Sequence, residues 1–338
     1  VELLLVILFV GLTILATVGP AVVYGLVIWW FDRYEKEPWG LLAVTFVWGA
    51  IPAIFLSLVA EIGLDVPLLA VFGQAAGEAI GGSVVAPIVE EVVKGFAIFL
   101  LFLTFRAEMD GVLDGVVYGA LVGFGFGMTE NALYFLGAMV EGGAEYWLTV
   151  VFVRTMLFGL NHGLFSSIVG LGFGYASVAN SRWKAWLAPP LALAGSIMIH
   201  AVHNISASLT PELCWPVIVS LLTDWGGVLV ILVVLLLAWD REKARVVREL
   251  RDEIGRGTVS RTDYEIAASY WLRIAAQWRA FMTHGLGHAR RLRRLYQLLT
   301  ELAFKKHRLR GVRDKRKGEK EITRLRAEIM DLRAEISH

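Results

Sequence analysis

Charged and amide side chains recur where only apolar residues would be expected. Glu90, Glu91 and Lys94 interrupt the run VVAPIVEEVVKGFAIFLL, Glu130 and Asn131 sit in a second apolar stretch, His162 in a third, and His200, His203 and Asn204 in a fourth. Keeping such groups in hydrocarbon costs several kcal/mol each, in round terms, before any partner is counted, so a use for them is expected. Lys94 lies four residues after Glu90 and three after Glu91, within reach of both on one helix face. It can hold one carboxylate ionised and leave the other for general-base work; the plainer alternative is an ion cluster that fixes helix packing. His200 and Asn204 share a face, with His203 turned to the other side, and a His and an amide on one turn can donate two hydrogen bonds to a developing oxyanion. Arg154, eight residues before His162, reads equally as an interfacial anchor or a site residue, and Tyr134 and Phe165 read as packing. His284 and His288, four apart among glycines and basic residues, read as solvent-exposed rather than as a metal site.

The elements that must carry these residues are membrane helices. A chain of 338 residues that is 57% hydrophobic, with mean hydropathy +0.61, is too apolar for a soluble globular protein, and several runs exceed the roughly 20 residues that span a bilayer. The expected fold is an all-α, polytopic membrane helix bundle of about seven transmembrane helices. The spans read as Leu3 to Phe31, Trp39 to Ala60, Ser83 to Phe105, Leu113 to Met139, Leu148 to Val178, Ala185 to Leu209 and Val217 to Trp239. The first reads as a helix rather than a cleaved signal, because no small-residue cleavage site stands out. Gly111, Gly115, Gly119, Gly123 and Gly127 place a glycine at every fourth position of the fourth span, a face that a neighbouring helix can approach closely. Lys and Arg occur in the joints at Arg33 and Lys36, at Arg106 and at Arg182 and Lys184, and are missing from the intervening connections. The positive-inside rule then puts the C-terminus in the cytoplasm and the N-terminus outside. In that topology the Glu, His and Asn positions on the third to sixth spans share one level of the bilayer.

The charge divides the chain in two. Residues 1–239 hold 7 Lys and Arg against 17 Asp and Glu, whereas residues 240–338 hold 25 against 14. The first part is the expected transmembrane core, the second a basic, helical cytoplasmic tail. Gly255-Arg256-Gly257 breaks the helix that continues the last span, and Thr262 with Glu265 resembles a capping box that opens a helix carrying Tyr270, Trp271, Ile274, Trp278 and Phe281. Ile322, Leu325, Ile329, Leu332 and Ile336 alternate spacings of three and four, a short coiled-coil seam. Such a basic tail beside a membrane points to anionic lipid at the cytoplasmic face, and no nucleic-acid-binding fold accompanies the charge. The one cysteine, Cys214, excludes an internal disulfide and a Cys-based zinc site.

In combination the motifs resemble a known family. DRYEKEP (Asp32 to Pro38), EEVVK (Glu90 to Lys94), FGMTEN (Phe126 to Asn131), Arg154 with Asn161-His162-Gly163, and HAVHN (His200 to Asn204) are similar, in order and spacing, to the PrsW-type intramembrane proteases. That family is related to type II CAAX prenyl proteases and bacteriocin-processing membrane proteases. The resemblance covers Asp32 to Asn204. It implies an endopeptidase that cuts in or near the transmembrane segment of a single-span protein such as a membrane-anchored anti-sigma factor. The implied catalytic set is Glu90, Glu91, Glu130, His162, His200 and Asn204, beside Lys94 and Asn131. In the expected mechanism Glu90 is the general base, Glu91 and His162 position the water, and His200 with Asn204 stabilise the oxyanion. Glu91, Glu130, His162 and His200 are candidate ligands for a catalytic zinc; with no HExxH present, a metal-free glutamate mechanism stays equally open. The rival readings are a transporter or proton relay, for which an inverted repeat is missing, and a non-catalytic scaffold, against which Glu90, Glu91 and Lys94 argue.

Overall fold

A computed structural model describes residues 2–34, 36–106, 108–310 and 316–337. Glu35 of the DRYEKEP motif and residues 311–315 of the basic stretch lie outside the described residues. Every regular element among the described residues is helical. The chain divides into two compact units, Val1–Asp32 with Glu37–Leu235, and Arg33–Lys36 with Leu236–His338.

The first unit begins with α1 (Glu2–Phe31), α2 (Trp39–Trp48), α3 (Ile54–Phe72), α4 (Gln74–Ile80) and α5 (Ala86–Thr104). It continues with α6 (Val112–Phe152), α7 (Asn161–Val178), α8 (Arg182–Leu213) and the first part of α9 (Pro216–Gly255). Its polarity is that of a protein dissolved in hydrocarbon. Leu15, Val44, Phe55, Leu222 and Val230 project outward while Glu90, Glu91, Lys94 and His200 are buried, and helices satisfy their own backbone groups, as a bilayer core demands. Among the described residues, five helical stretches are long and apolar enough to cross a membrane: Ile7–Phe31, Trp39–Phe72, Val112–Val178, Arg182–Leu213 and Pro216–Gly255. This differs from the seven read in the sequence for two physical reasons. The stretch Val112–Val178 folds back on itself, and α5 carries Glu90, Glu91 and Lys94.

The fold-back is the frame of the unit. The connection expected at Val140 to Leu148 is instead helical on both sides of one residue, Gly143, whose φ of 67° only glycine adopts without strain. The two limbs then run antiparallel. A Cβ on Gly115 would lie 2.1 Å from the carbonyl oxygen of Gly170, one on Gly119 2.3 Å from that of Ser166, and one on Gly123 1.9 Å from that of His162. The four-residue glycine repeat therefore packs backbone against backbone along this hairpin. The fifth span, expected to be continuous, is interrupted: a π-helical turn at Val153–Leu157 and a non-helical joint precede α7. Similar π turns stand at Gly49–Ala53 and at Gly81–Val85, and such turns re-aim the side chains beside them.

The second unit is a small helical bundle made of the end of α9, α10 (Arg261–Ala267), α11 (Tyr270–Arg310) and α12 (Arg316–Ser337). Its core joins Val246, Leu250, Leu295, Leu299, Leu302 and Phe304 to Ile322, Leu325 and Ile329. The seam expected to form a coiled coil is thus buried against α11 of the same chain. Helix α9 ends at Gly255, and Gly257 has φ 76°. The cap of α10 is Ser260, whose Oγ accepts from the amide of Asp263, rather than the Thr262–Glu265 pair, because the helix starts two residues earlier than its sequence pattern implied. Helix α11 is itself bent back at Gly285, φ 79°, which brings Arg273 within 3.3 Å of Thr300.

Candidate active site

Helix α5 supplies the anionic centre. Pro87, Glu90, Glu91, Lys94, Ile98 and Leu101 form its buried stripe at spacings of three and four, and Val92 and Phe96 face outward. Lys94 is completely buried, and its ammonium lies 2.5 Å from Glu91 Oε1, 3.2 Å from Glu90 Oε2 and 3.2 Å from His162 Nδ1. Three donors meet three acceptors, and the Phe126 ring closes the fourth side at 4.1 Å. The two glutamates are not equivalent. Glu90 lines a cavity of about 830 Å³, whereas Glu91 lies behind it, where Ser196 Oγ and His200 Nδ1 lie 2.9 and 3.1 Å from its oxygens.

The two histidines enter from α7 and α8. His162 Nε2 is 2.7 Å from Glu130 Oε2, so its Nδ1 faces α5, 3.9 Å from Glu90 Oε2. His200 Nδ1 is held by Glu91, so its Nε2 faces the same oxygen at 4.0 Å. Phe165 stacks on His200 with ring centroids 4.5 Å apart and fixes the imidazole plane. Glu130 is oriented in turn by Arg154, at 2.5 Å, which also donates from Nε to Asn131 Oδ1 at 2.6 Å and stacks on Tyr134. Arg154 thus has site partners, not only an anchoring position. Asn204 borders the cavity, but its amide donates to the Gly82 carbonyl at 2.8 Å.

Two placements were not read from the sequence. His203 also borders the cavity, because positions three and four residues apart still share a helix face. Its Nδ1 is 2.7 Å from Asp224 on α9, and Asn161 Nδ2 lies 3.3 Å from its Nε2. The available signal was Asp224 itself, a lone acid in the last apolar run. Ser196 carried no such signal. His284 and His288 stack on each other at 4.7 Å, and His284 is exposed.

The donor chemistry fits a divalent metal. Glu90, His162 and His200 each offer one ligand atom, all within 4.8 Å of one another, and the far nitrogen of each imidazole is tied to a carboxylate, as metal-ligating histidines usually are. The convergent carboxylate is Glu90. Glu91 and Glu130, named with the histidines as candidate ligands from the sequence, here hold the outer nitrogens. Lys94 shares the His162 Nδ1 lone pair that a cation would use.

Residues 37–239 match the model of the PrsW family of intramembrane metalloproteases. The chain belongs to that family. It is 32% identical over 181 residues to Protease PrsW of Geobacillus kaustophilus, covering 51% of this chain and 69% of that protein. Protease PrsW of Bacillus subtilis is 28% identical over 183 residues, covering 51% and 72%. That of Halalkalibacterium halodurans is 25% identical over 194 residues, covering 56% and 80%. No solved structure matches the chain. The protein is accordingly a multi-pass membrane protease of the PrsW family, and every residue of the cluster falls inside the matched region.

Proposed function

We propose that this PrsW-family chain hydrolyses a peptide bond in or near the membrane segment of a single-span protein, using a water held between Glu90, His162 and His200. The observation that carries the reading is the convergence of Glu90 Oε2, His162 Nδ1 and His200 Nε2 at the cavity wall. A zinc ion is the metal such an N/O donor set suits, and Glu90, His162 and His200 would hold it. Bound there, it would polarise the scissile carbonyl and bring the pKa of a water to about 7.

The chain's own residues do the rest. Glu130 and Glu91 fix the imidazole tautomers, so that the inward nitrogens carry lone pairs. Lys94 offsets the charge of the two adjacent glutamates, which could not otherwise both remain anionic in a buried site. Glu90 turns Oε2 toward the two histidines, and through its other oxygen, Oε1, it takes the water's proton as attack begins and returns it to the leaving amine. Asn204, on the cavity wall one turn beyond His200, is placed to donate to the oxyanion once its amide leaves Gly82. The cavity mixes polar and apolar lining, with Glu61, Glu78 and Glu141 on it besides the cluster, and so suits an unwound stretch of a membrane helix, whose freed backbone groups need polar partners.

In the membrane, the Lys and Arg distribution supports seven passes, counting α5 and the two limbs of the Gly143 hairpin separately, with the C-terminus cytoplasmic and the N-terminus outside. The second unit then contacts anionic lipid rather than nucleic acid. The test of the catalytic reading is purified protein in detergent with a fluorogenic single-span substrate, assayed before and after chelation with metal content measured. Cleavage lost on chelation and restored by zinc is the expected result. Substrate uncut under every metal condition by monodisperse protein would overturn it.

A further inference from the structure

The second unit carries a feature that proteolysis does not use and that lies beyond the family match. From Ile266 to Thr300 the sequence contains no Asp or Glu, while Arg273, Arg279, Arg290, Arg291, Arg293 and Arg294 fall within it. In the structure this segment is largely the hairpin of α11 that turns at Gly285. The first limb has two faces. Arg273 and Ala280 are turned inward, and the Arg273 guanidinium donates to Thr300 Oγ1 and to the Arg33 carbonyl. Trp271, Ile274, Trp278 and Phe281, at spacings of three, four and three, are turned outward, with Trp271 and Trp278 each 63% exposed and Met282 66% exposed. Leu272 and Leu286 on the same hairpin are exposed as well, and the guanidinium of Arg33 lies 5.3 Å from the Trp271 ring at one end of the stripe.

We infer that the outward face of this hairpin lies in the headgroup region of a bilayer leaflet that carries anionic lipid. Two tryptophans and a phenylalanine on one face, rimmed by arginines with no acid among them, match the chemistry of an in-plane amphipathic helix. The aromatic rings take up the boundary between acyl chains and headgroups, and the exposed arginines meet lipid phosphates. Arg294 is committed to Glu328 at 2.8 Å, whereas Arg279, Arg290, Arg291 and Arg293 stand exposed on the hairpin. The unit is also chained to the bilayer, since it begins at Leu236 within the apolar run of α9. Tethering of this kind makes docking of the face an intramolecular equilibrium, whose position the charge of the lipid and of the arginines still sets.

The experiment uses the full chain in a Cys214→Ser background, reconstituted into vesicles of phosphatidylcholine with or without phosphatidylglycerol. An environment-sensitive fluorophore is attached at Trp278→Cys, Met282→Cys or, as the control on α12, Ala327→Cys, and a lipid-borne nitroxide is the quencher. The expected result is quenching at positions 278 and 282, little at 327, and weaker quenching without phosphatidylglycerol. Replacing Arg279, Arg290, Arg291 and Arg293 by Gln weakens the quenching at 278 and 282, with the docking equilibrium falling about fivefold per arginine removed. Either cysteine variant alone reports the position, should the other fail to fold. Positions 278 and 282 no more quenched than 327 would overturn the inference. So would shielding from aqueous iodide without lipid quenching, which means that protein covers the face, or quenching indifferent to anionic lipid and to the arginines.

Discussion

Substituting Gly123 by Ala puts one methyl group between α6 and α7, the packed limbs of the fold-back, directly behind a proposed catalytic histidine. The new Cβ would fall 1.9 Å from the His162 carbonyl oxygen and 2.7 Å from the Gly163 nitrogen. Non-bonded atoms rest at about 3.5 Å, so the limbs must part locally by about 1.5 Å. The obstacle is backbone on both sides and cannot rotate away. Overpacking of this kind typically costs about 1–3 kcal/mol, partly offset by the roughly 1 kcal/mol that Ala gains over Gly in a helix. The larger effect falls on the site, because the atom pushed belongs to the residue whose ring faces Glu90. A misplacement near 1 Å can cost about a hundredfold in rate. The assay is turnover of a single-span substrate in nanodiscs beside a thermal melt, run on three variants. Gly123→Ala is expected to lose about a hundredfold in kcat with a modest fall in Tm. Gly127→Ala, whose Cβ would sit 3.1 Å from the His162 ring, should lose less, and Gly63→Ala, exposed on α3 away from the cavity lining and with nothing within 4 Å among the described residues, should turn over normally and melt no lower. Parent-like kcat in a folded Gly123→Ala would refute the reasoning that backbone contact sets the position of His162.

Other consequences can be checked alongside. Arg154→Lys keeps the charge but has one nitrogen where the guanidinium uses two to meet Glu130 and Asn131, so kcat should fall about tenfold or more while the protein stays folded, as expected when an orienting partner is lost. Lys94→Met removes the ammonium shared by Glu90, Glu91 and His162; the unpaired carboxylates should lower stability by about 3–5 kcal/mol, and added zinc should recover part of that loss, read as a zinc-dependent Tm. For orientation, single cysteines at Asp65 and Ala144 should react with a membrane-impermeant reagent applied to sealed cells and one at Arg316 should not; the reverse pattern would invert the topology.

Much of the site was legible because hydrocarbon makes polar residues conspicuous. Glu90, Glu91, Lys94, Glu130, His162 and His200 stand out from apolar runs, and the i, i+3 and i, i+4 spacings place them on shared faces. The glycine repeat was legible for the same geometric reason, since four-residue spacing on a helix means one face. What could not be read were the departures from ideal helix. A single glycine with positive φ at position 143 turned an expected loop into a tight helix reversal, and the π turns at Gly49–Ala53, Gly81–Val85 and Val153–Leu157 leave no periodic trace. Partner choice was also hidden. Spacing puts Lys94 near both glutamates, but it cannot say that Glu91 turns back to Ser196 and His200 while Glu90 meets the cavity. In the second unit the heptad-like seam was read correctly as an apolar face, yet nothing local distinguishes packing on another chain from packing on α11 of the same chain.

The central claim is that Glu90, and not merely an intact ion cluster, performs the proton transfer. Its most direct measurement is the rate at which purified Glu90→Gln cleaves a single-span substrate, compared with the parent under identical metal loading. The amide keeps shape and hydrogen-bonding capacity but cannot accept a proton, so the account predicts a loss of at least about a hundredfold with an unaltered fold. Activity within about tenfold of the parent would contradict it and remove Glu90 from the chemistry.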